Sequence, residues 1–278
     1  MNFELNRRGF LAAAALAGAG ASRPAAADEK SAGTLKLGVA SYSLRAYRRT
    51  LAIHCIQQLR TPYVSVKEFH LPYCGTPEEL ERGREEFARA GLKIMSGGNI
   101  GLSKDDPADI RRYFEYARMC GMPMMVCAPT HSNIRTVERF VKEYNIRIAI
   151  HNHGPEDKQF PTPQSVLKVV RDLDPRCGLC IDCGHTARAG ADVIESIAEA
   201  GPRLFDMHIK DLRTFEPHAV QCAVGEGIMP IPGIFKQLHK MGYQGCVNLE
   251  YEINEDDPLP GMQVSMSYMR GVLAGLKG

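Results

Sequence analysis

Short apolar runs alternate with amphipathic segments from Leu35 to the end of the chain, and this alternation limits the possible folds more than any other feature. Eight runs have the length of strands, at residues 35–40, 63–69, 92–95, 124–128, 147–151, 178–182, 204–209 and 245–250. The segments between and after them are helix-like, at residues 51–59, 77–90, 107–120, 137–144, 163–173, 192–200, 234–241 and 265–276. Eight successive β–α units predict an α/β fold, a single (β/α)₈ TIM barrel, rather than a doubly wound sheet.

The first residues have the pattern of an export signal. Arg7 and Arg8 precede a short apolar run at 12–21, and the small residues at 25–27 offer a cleavage site. We predict a twin-arginine-type signal peptide at 1–27, a linker at 28–34 and the barrel at 35–278, and therefore a periplasmic or otherwise exported protein. A stable membrane anchor is the weaker alternative, because the run is shorter than the roughly 20 residues that span a bilayer.

Charge and cysteine content exclude some functions and leave others open. A formal net charge of +2 gives no large basic excess, so we expect no nucleic-acid partner. Nine cysteines are an odd number, so at least one is unpaired or bonded between chains. The spacing of Cys177, Cys180 and Cys183 could suit an iron–sulfur or zinc site, but alternation puts Cys180 and Cys183 on opposite faces. The oligomeric state stays open.

Polar side chains occupy the carboxyl ends of the predicted strands, where a barrel of this type builds its active site. From the second strand to the eighth they are Glu68, His70, His151, His153, Asp182, His185, His208, Glu250 and Glu252. Each alone has an ordinary explanation as a hydrogen-bonded histidine or a salt-bridge partner. Their joint occurrence on strands five to eight predicts a site for a divalent metal. A ligand set of imidazoles and carboxylates suits Mn²⁺, Zn²⁺, Co²⁺ or Fe²⁺.

Side-chain alternation selects among these residues. Asp182, His208 and Glu250 lie on the strand faces opposite to the apolar neighbours Ile181, Met207 and Leu249. The apolar faces can then meet the helices while the polar groups point into the mouth of the barrel. Asp206 shares a face with His208 but lies deeper in the strand, where an internal partner is the simpler expectation.

Three motifs in order carry a resemblance to a known family. They are the segment 182–190 with Asp182 and His185, the segment 207–211 with His208 and Lys210, and the segment 248–250 ending in Glu250. Together they resemble the signatures of strands six, seven and eight in the xylose isomerase-like TIM-barrel superfamily, over about residues 35–276. The segment 150–157 is similar to that of exported proteins of the sugar phosphate isomerase/epimerase type, which are related to the AP endonuclease family 2.

The resemblance implies roles for individual residues. Asp182, His208 and Glu250 correspond to metal ligands of epimerase-like members, whose remaining ligand is usually a glutamate at the end of strand five. This chain has His151 in that place, so other groups are expected to move protons. The candidates for proton transfer are Glu68, His153, His185 and Glu252. The candidates for holding sugar hydroxyls or an oxyanion are Lys67, His70, Arg188 and Lys210.

The superfamily includes sugar isomerases and epimerases, inosose dehydratase and endonuclease IV. The resemblance therefore implies a metal-dependent sugar isomerase or epimerase that acts on a keto-sugar through an enediolate. A 3-keto-glycoside lyase or hydratase would use the same enediolate, and a sugar-binding barrel without catalysis is the third reading. Export and the lack of an evident phosphate loop favour a free keto-sugar or keto-glycoside. An endonuclease IV role is disfavoured because the segment Ser96 to Asn99 has no histidine for additional zinc ions.

Overall fold

Eight parallel strands close into a barrel in the computed structural model, which describes residues 35–276. Their bounds are β1 (Lys36–Ala40), β2 (Tyr63–Val66), β3 (Lys93–Gly101), β4 (Met124–Ala128), β5 (Arg147–His151), β6 (Cys177–Asp182), β7 (Leu204–Ile209) and β10 (Cys246–Leu249). Around the barrel the order is β1, β10, β7, β6, β5, β4, β3 and β2. The predicted (β/α)₈ barrel is confirmed. The predicted signal peptide and linker lie outside the described residues.

Nine α-helices follow or flank these strands within the described part of the chain. They are α1 (Arg49–Gln58), α2 (Pro77–Arg89), α3 (Pro107–Met119), α4 (Ile134–Tyr144), α5 (Pro163–Val170), α6 (Cys183–Arg188), α7 (Val193–Ala200), α8 (Ile231–Lys240) and α9 (Leu259–Gly275). Local chemistry sets several of their starts. Thr76 and Thr162 cap α2 and α5, each before a proline whose missing N–H costs nothing in the first turn.

Apolar side chains form two separate layers. The outer layer lies between the strands and the helices and includes Val39, Ile148, Leu179, Met207 and Leu249. The inner layer fills the lower barrel and consists of Met124, Val126, Ala149, Cys180 and Phe205. Fully burying one such side chain contributes roughly 1.5–3 kcal/mol, so these layers hold the strands in place. The upper interior is left to the polar residues.

The two layers also separate the cysteines. Cys177 and Cys183 belong to the outer layer and Cys180 to the inner one, so the three cannot clasp a single cluster. All nine cysteines are free thiols, and only Cys74 is exposed. Among residues 35–276, no helix has both the length and the apolar character needed to cross a bilayer.

Several elements differ from the sequence expectation, and β2 ends at Val66 rather than at residue 69. β3 continues to Gly101, because its residues after Met95 still pair with β4 as far as Ala128. The short helix α6 starts directly after β6. A two-stranded antiparallel hairpin, β8 (Asp211–Leu212) and β9 (Gln221–Cys222), follows β7. The last two elements matter because both border the site described next.

Candidate metal centre

Four buried side chains converge at the upper end of the barrel. His151, Asp182, His208 and Glu250 each offer one ligand atom, and these four atoms all lie within 4.8 Å of one another. His151 Nε2 is 3.2 Å from His208 Nδ1 and 3.6 Å from Asp182 Oδ2. His208 Nδ1 is 3.1 Å from Glu250 Oε2. The four predicted metal ligands therefore form one group, as expected from their places at neighbouring strand ends.

Strand register explains why these residues meet. Asp182 on β6 is level with His208 on β7, and His208 is level with Asn248 on β10. Glu250 is the second residue after Asn248, on the same face of the chain, and its backbone N–H still donates to the Ile209 carbonyl at 3.0 Å. The ladder thus extends past the end of β10 and carries Glu250 into the group.

Asp182 is oriented by the start of α6. Its Oδ1 accepts from the backbone N–H of His185 at 2.8 Å and caps the helix. Asn152 accepts from the Asp182 N–H at 3.1 Å and donates to Thr186 at 3.1 Å, which fixes the strand end from the other side. The second oxygen, Asp182 Oδ2, remains directed at the group of four.

A buried lysine lies beside the carboxylates. Lys210 Nζ lies 3.1 Å from Asp182 Oδ2 and 3.0 Å from Glu250 Oε2, and it also pairs with Glu252. These neighbours outweigh burial and raise the pKa of Lys210 well above its usual range, so the side chain is an ammonium. The predicted substrate-binding residue Lys210 is therefore part of the centre.

The neighbours also set the charge of the four groups. Burial alone would raise the pKa values of Asp182 and Glu250, but Lys210 and the nearby imidazoles hold both below the usual range. Burial lowers the pKa of His151, which keeps its ring neutral. Burial would lower the pKa of His208 too, but Cys180 and Glu250 beside it hold that pKa well above its usual range. A metal that binds His208 must therefore displace a proton.

This arrangement fits a divalent cation. Ligands around an ion at roughly 2.1 Å stand about 3.4 Å apart at tetrahedral angles, close to the separations found here. Asp182 Oδ2 is buried without a hydrogen bond, since Lys210 approaches it outside hydrogen-bonding geometry. An orphaned buried carboxylate oxygen beside two imidazoles is a typical ligand environment for Zn²⁺, Mn²⁺, Co²⁺ or Fe²⁺.

His185 is fixed in one tautomer. Arg188 Nη1 lies 3.1 Å from His185 Nδ1, and a guanidinium can only donate, so Nδ1 accepts and the ring proton sits on Nε2. Burial lowers the pKa of His185 to about 3, which keeps the ring neutral. Arg188 also pairs with Glu156 and donates to the Pro217 carbonyl. His185 is therefore suited to donate a hydrogen bond rather than to accept a proton.

A cavity of about 170 Å³ opens above the metal centre. Its lining includes seven of the predicted site residues: Lys67, His151, His153, His185, Lys210, Glu250 and Glu252. The rings of His153 and His185 are in contact, with centroids 4.5 Å apart. Proton-transfer groups from the ends of β5, β6 and β10 therefore share one small space with the centre.

Three predicted residues lie elsewhere. Glu68 accepts from the Tyr73 hydroxyl at 3.2 Å and pairs with Lys67 at 3.2 Å, outside the cavity lining. His70 is completely buried, and its Nδ1 is 2.9 Å from the Ser41 hydroxyl. Both follow the end of β2 at Val66, in a turn where the His70 N–H donates to the Lys67 carbonyl at 2.9 Å, and neither lines the cavity. Arg188 lines a neighbouring cavity instead.

Two lining residues were not predicted. Tyr42 is the second residue after β1, in a 3₁₀ turn, and Asn99 lies on the part of β3 that the sequence did not reveal. Lys67 donates to the Asn99 carbonyl at 2.6 Å, which joins the two walls. Their places at strand ends were the available signal, but neither residue type indicates catalysis by itself.

Comparisons with known proteins agree with this architecture. An inosose dehydratase of Mesomycoplasma hyopneumoniae (strain 7448) is 25% identical over 200 residues, which cover 65% of this chain and 61% of that protein. The chain thus spans about three fifths of the length of this relative. A rhizopine catabolism protein of Rhizobium meliloti is 29% identical over 134 residues, which cover 42% of this chain and 41% of that protein.

Solved structures share the fold. An IolI protein with a zinc atom has a TM-score of 0.73 at 16% identity, covering 87% of this chain and 99% of its own. D-psicose 3-epimerase of Clostridium cellulolyticum H10, with D-tagatose, has a TM-score of 0.71 at 15% identity, covering 86% and 99%. A family model described as "Xylose isomerase-like TIM barrel" matches residues 75–272, well over half of the chain. The chain therefore belongs to the xylose isomerase-like TIM barrel family.

Proposed function

We propose that this protein is a divalent-metal-dependent isomerase or epimerase that moves a proton beside the carbonyl of a keto-sugar. The observation that carries the proposal is the convergence of four ligand side chains on the floor of a cavity whose walls hold proton-transfer groups. His151, Asp182, His208 and Glu250 would hold the ion. When bound, a divalent ion supplies Lewis-acid polarisation of a carbonyl.

Two walls of the cavity offer different proton chemistry. Glu252 follows β10 and pairs with Lys210, and its side chain is the candidate proton acceptor on that wall. His153 follows β5, which β6 and β7 separate from β10. His185 lies in α6 directly after β6 and presents a ring N–H. An epimerase requires groups that take up and give back a proton on different sides of one carbon, and Glu252 on one wall and His153 on the other are placed for these roles, while the neutral His185 ring would donate a hydrogen bond to a substrate oxygen.

Elimination is the second candidate, favoured by His151 and by the pairing of Lys210 with Glu252. His151 stands where a symmetrical epimerase would have one of its two carboxylates. The Glu252 carboxylate and the Lys210 ammonium then lie side by side on one wall of the cavity. In an elimination the carbon–hydrogen bond next to the ketone breaks and Glu252 takes the proton. A carbon–carbon double bond then forms while the bond to the β-oxygen breaks, and that oxygen takes a proton from Lys210. A keto-glycoside or an inosose has such a β-oxygen.

Deuterium exchange tests the proposal. The metal-loaded protein is incubated in D₂O with D-fructose, D-tagatose, an inosose and methyl 3-keto-β-D-glucoside, with and without chelator. We expect chelator-sensitive deuterium uptake next to the carbonyl of at least one compound, and the product distinguishes epimerisation from elimination. Bound metal without exchange in any compound would contradict the proposal and support a sugar-binding barrel.

A pair of variants assigns the base. Glu252→Gln removes a carboxylate from the cavity wall, and Glu68→Gln removes one that lies outside the lining. We expect exchange to fall on the order of 10²- to 10⁴-fold in Glu252→Gln, the usual contribution of a general base, and by less than about tenfold in Glu68→Gln. The reverse order would assign proton abstraction to Glu68.

A further inference from the structure

A second cavity adjoins the one above the metal centre. We call the cavity over the centre the inner compartment (about 170 Å³) and the adjoining one, of about 190 Å³, the outer compartment. His185, Lys210 and Glu252 line both compartments. These three side chains therefore form the wall that the two cavities share, in which Lys210 and Glu252 are in contact.

Each compartment alone is small. Ligand pockets usually measure about 300–1,000 Å³, and only the two compartments together reach that range. A compact ketose needs only the inner compartment. A substrate that occupies both compartments must extend between the three side chains of this shared wall. Two of these, Glu252 and Lys210, are the base and the acid of the elimination described above.

The wall of the outer compartment is held in place. Gln221 on β9 accepts from the Glu252 N–H at 2.6 Å, and its amide nitrogen lies 3.4 Å from the Glu250 carbonyl. Arg188 fixes the other side through the Pro217 carbonyl. The hairpin β8–β9 is thus tied directly to the chain segment that carries Glu250 and Glu252.

The lining of the outer compartment is of mixed character. Leu212, Ala219 and Ile253 present apolar surface, while Arg188 and Gln221 present hydrogen-bonding groups. An apolar surface combined with a few placed polar groups suits a ring that has one apolar face and a polar edge, such as a second sugar or a phenyl group.

We propose that the outer compartment binds the substituent of a glycoside, so that the substrate class is keto-glycosides rather than free ketoses. This inference rests on the proposed function. The keto-sugar ring occupies the inner compartment, and the bond to its substituent lies beside Lys210 and Glu252. Ala219 is then a specificity-determining residue, because a larger side chain there fills the outer compartment without entering the inner one.

The test compares two probes in three proteins. Phenyl and methyl 3-keto-β-D-glucosides are assayed by chelator-sensitive deuterium exchange or elimination with the wild type, Ala219→Trp and Val220→Trp. Val220 is the matched control, because its side chain is 63% exposed and lines neither compartment. Circular dichroism and metal content verify folding, and Ala219→Leu replaces the tryptophan variant if that variant does not fold.

We expect the wild type to prefer the phenyl glucoside in kcat/KM. Ala219→Trp should lower the phenyl-to-methyl ratio by on the order of tenfold or more, a typical discrimination for a filled pocket, while Val220→Trp keeps the wild-type ratio. Titration calorimetry with phenyl β-D-glucoside, which cannot react, should show the same loss of binding in Ala219→Trp alone.

The possible failures are distinguishable. An unchanged ratio and unchanged phenyl glucoside binding in Ala219→Trp would overturn the inference about the outer compartment. Exchange with free ketoses but not with either glucoside would overturn it too and leave the proposed function standing. Absence of exchange with every compound would overturn the proposed function and this inference with it.

Discussion

Asp206 and His208 lie on the same face of β7, yet only His208 reaches the metal centre. Asp206 lies one layer deeper, where it accepts from Ser96 and Asn248 at 2.7 Å each. Burial raises its pKa to about 6. Alternation in the sequence predicted the shared face, but the depth of each residue depends on barrel shear, which no single strand encodes.

His70 provides a residue-scale test that is independent of metal. Burial lowers its pKa to about 4, against 6.5 for an exposed histidine. The folded state therefore binds fewer protons than the unfolded chain, and stability is lost as pH falls from about 6.5 towards 4. At about 1.4 kcal/mol per pH unit, the loss between pH 7 and 4.5 is about 2.5 kcal/mol.

Urea unfolding of the wild type and of His70→Gln at both pH values measures this effect. Between pH 7 and 4.5 the wild type should lose about 2.5 kcal/mol more free energy of unfolding than His70→Gln, because only the wild type has the buried imidazole. A difference that does not change with pH would show that His70 is not held neutral by burial.

At the scale of elements, the sequence indicated where several helices begin, but it did not reveal elements that depend on tertiary contacts. The helix-like segments predicted at 77–90 and 163–173 begin where α2 and α5 begin, at Pro77 and Pro163, and in the structure Thr76 and Thr162 cap these starts. The short helix α6 has no periodicity to reveal it and depends on its cap, Asp182. A further tertiary feature is Asp211 in β8, which anchors the loop after β9.

Asp211 accepts from the backbone N–H groups of Gly225, Gly227 and Met229 at 2.8, 3.1 and 3.0 Å. A Cβ at Gly227 would lie 2.2 Å from Asp211 Oδ1, so the loop closes tightly on the carboxylate. Asp211→Ala leaves these donors without their acceptor, and we expect a loss of about 2–4 kcal/mol in the free energy of unfolding.

The matched control is Asp192→Ala, which removes only the cap of α7 and should cost about 1 kcal/mol. Hydrogen exchange should become faster over residues 213–229 in Asp211→Ala and remain unchanged there in Asp192→Ala. Equal costs and equal exchange in the two variants would rule out a special anchoring role.

For the whole molecule, the alternation predicted the barrel, because eight successive β–α units favour a closed (β/α)₈ barrel over a doubly wound sheet. The ligand group followed from the same topology, since strand ends converge. Glu68, His70 and Arg188 show the limit: each lies near a strand end, but turns and packing direct them away from the inner compartment. Tyr42 and Asn99 were missed because the fold brings them into the cavity lining, although neither residue type indicates catalysis by itself.

Metal content of purified protein tests the central claim most directly. Wild type, Glu250→Gln and Glu252→Gln are analysed by mass spectrometry of bound metals after loading with Zn²⁺ or Mn²⁺ and gel filtration. The two glutamates stand two residues apart at the same strand end, and only Glu250 belongs to the group of four. We predict one ion per chain in the wild type and in Glu252→Gln, and loss of the ion in folded Glu250→Gln. Equal metal in all three proteins, or none in the wild type, would contradict a metal centre formed by His151, Asp182, His208 and Glu250.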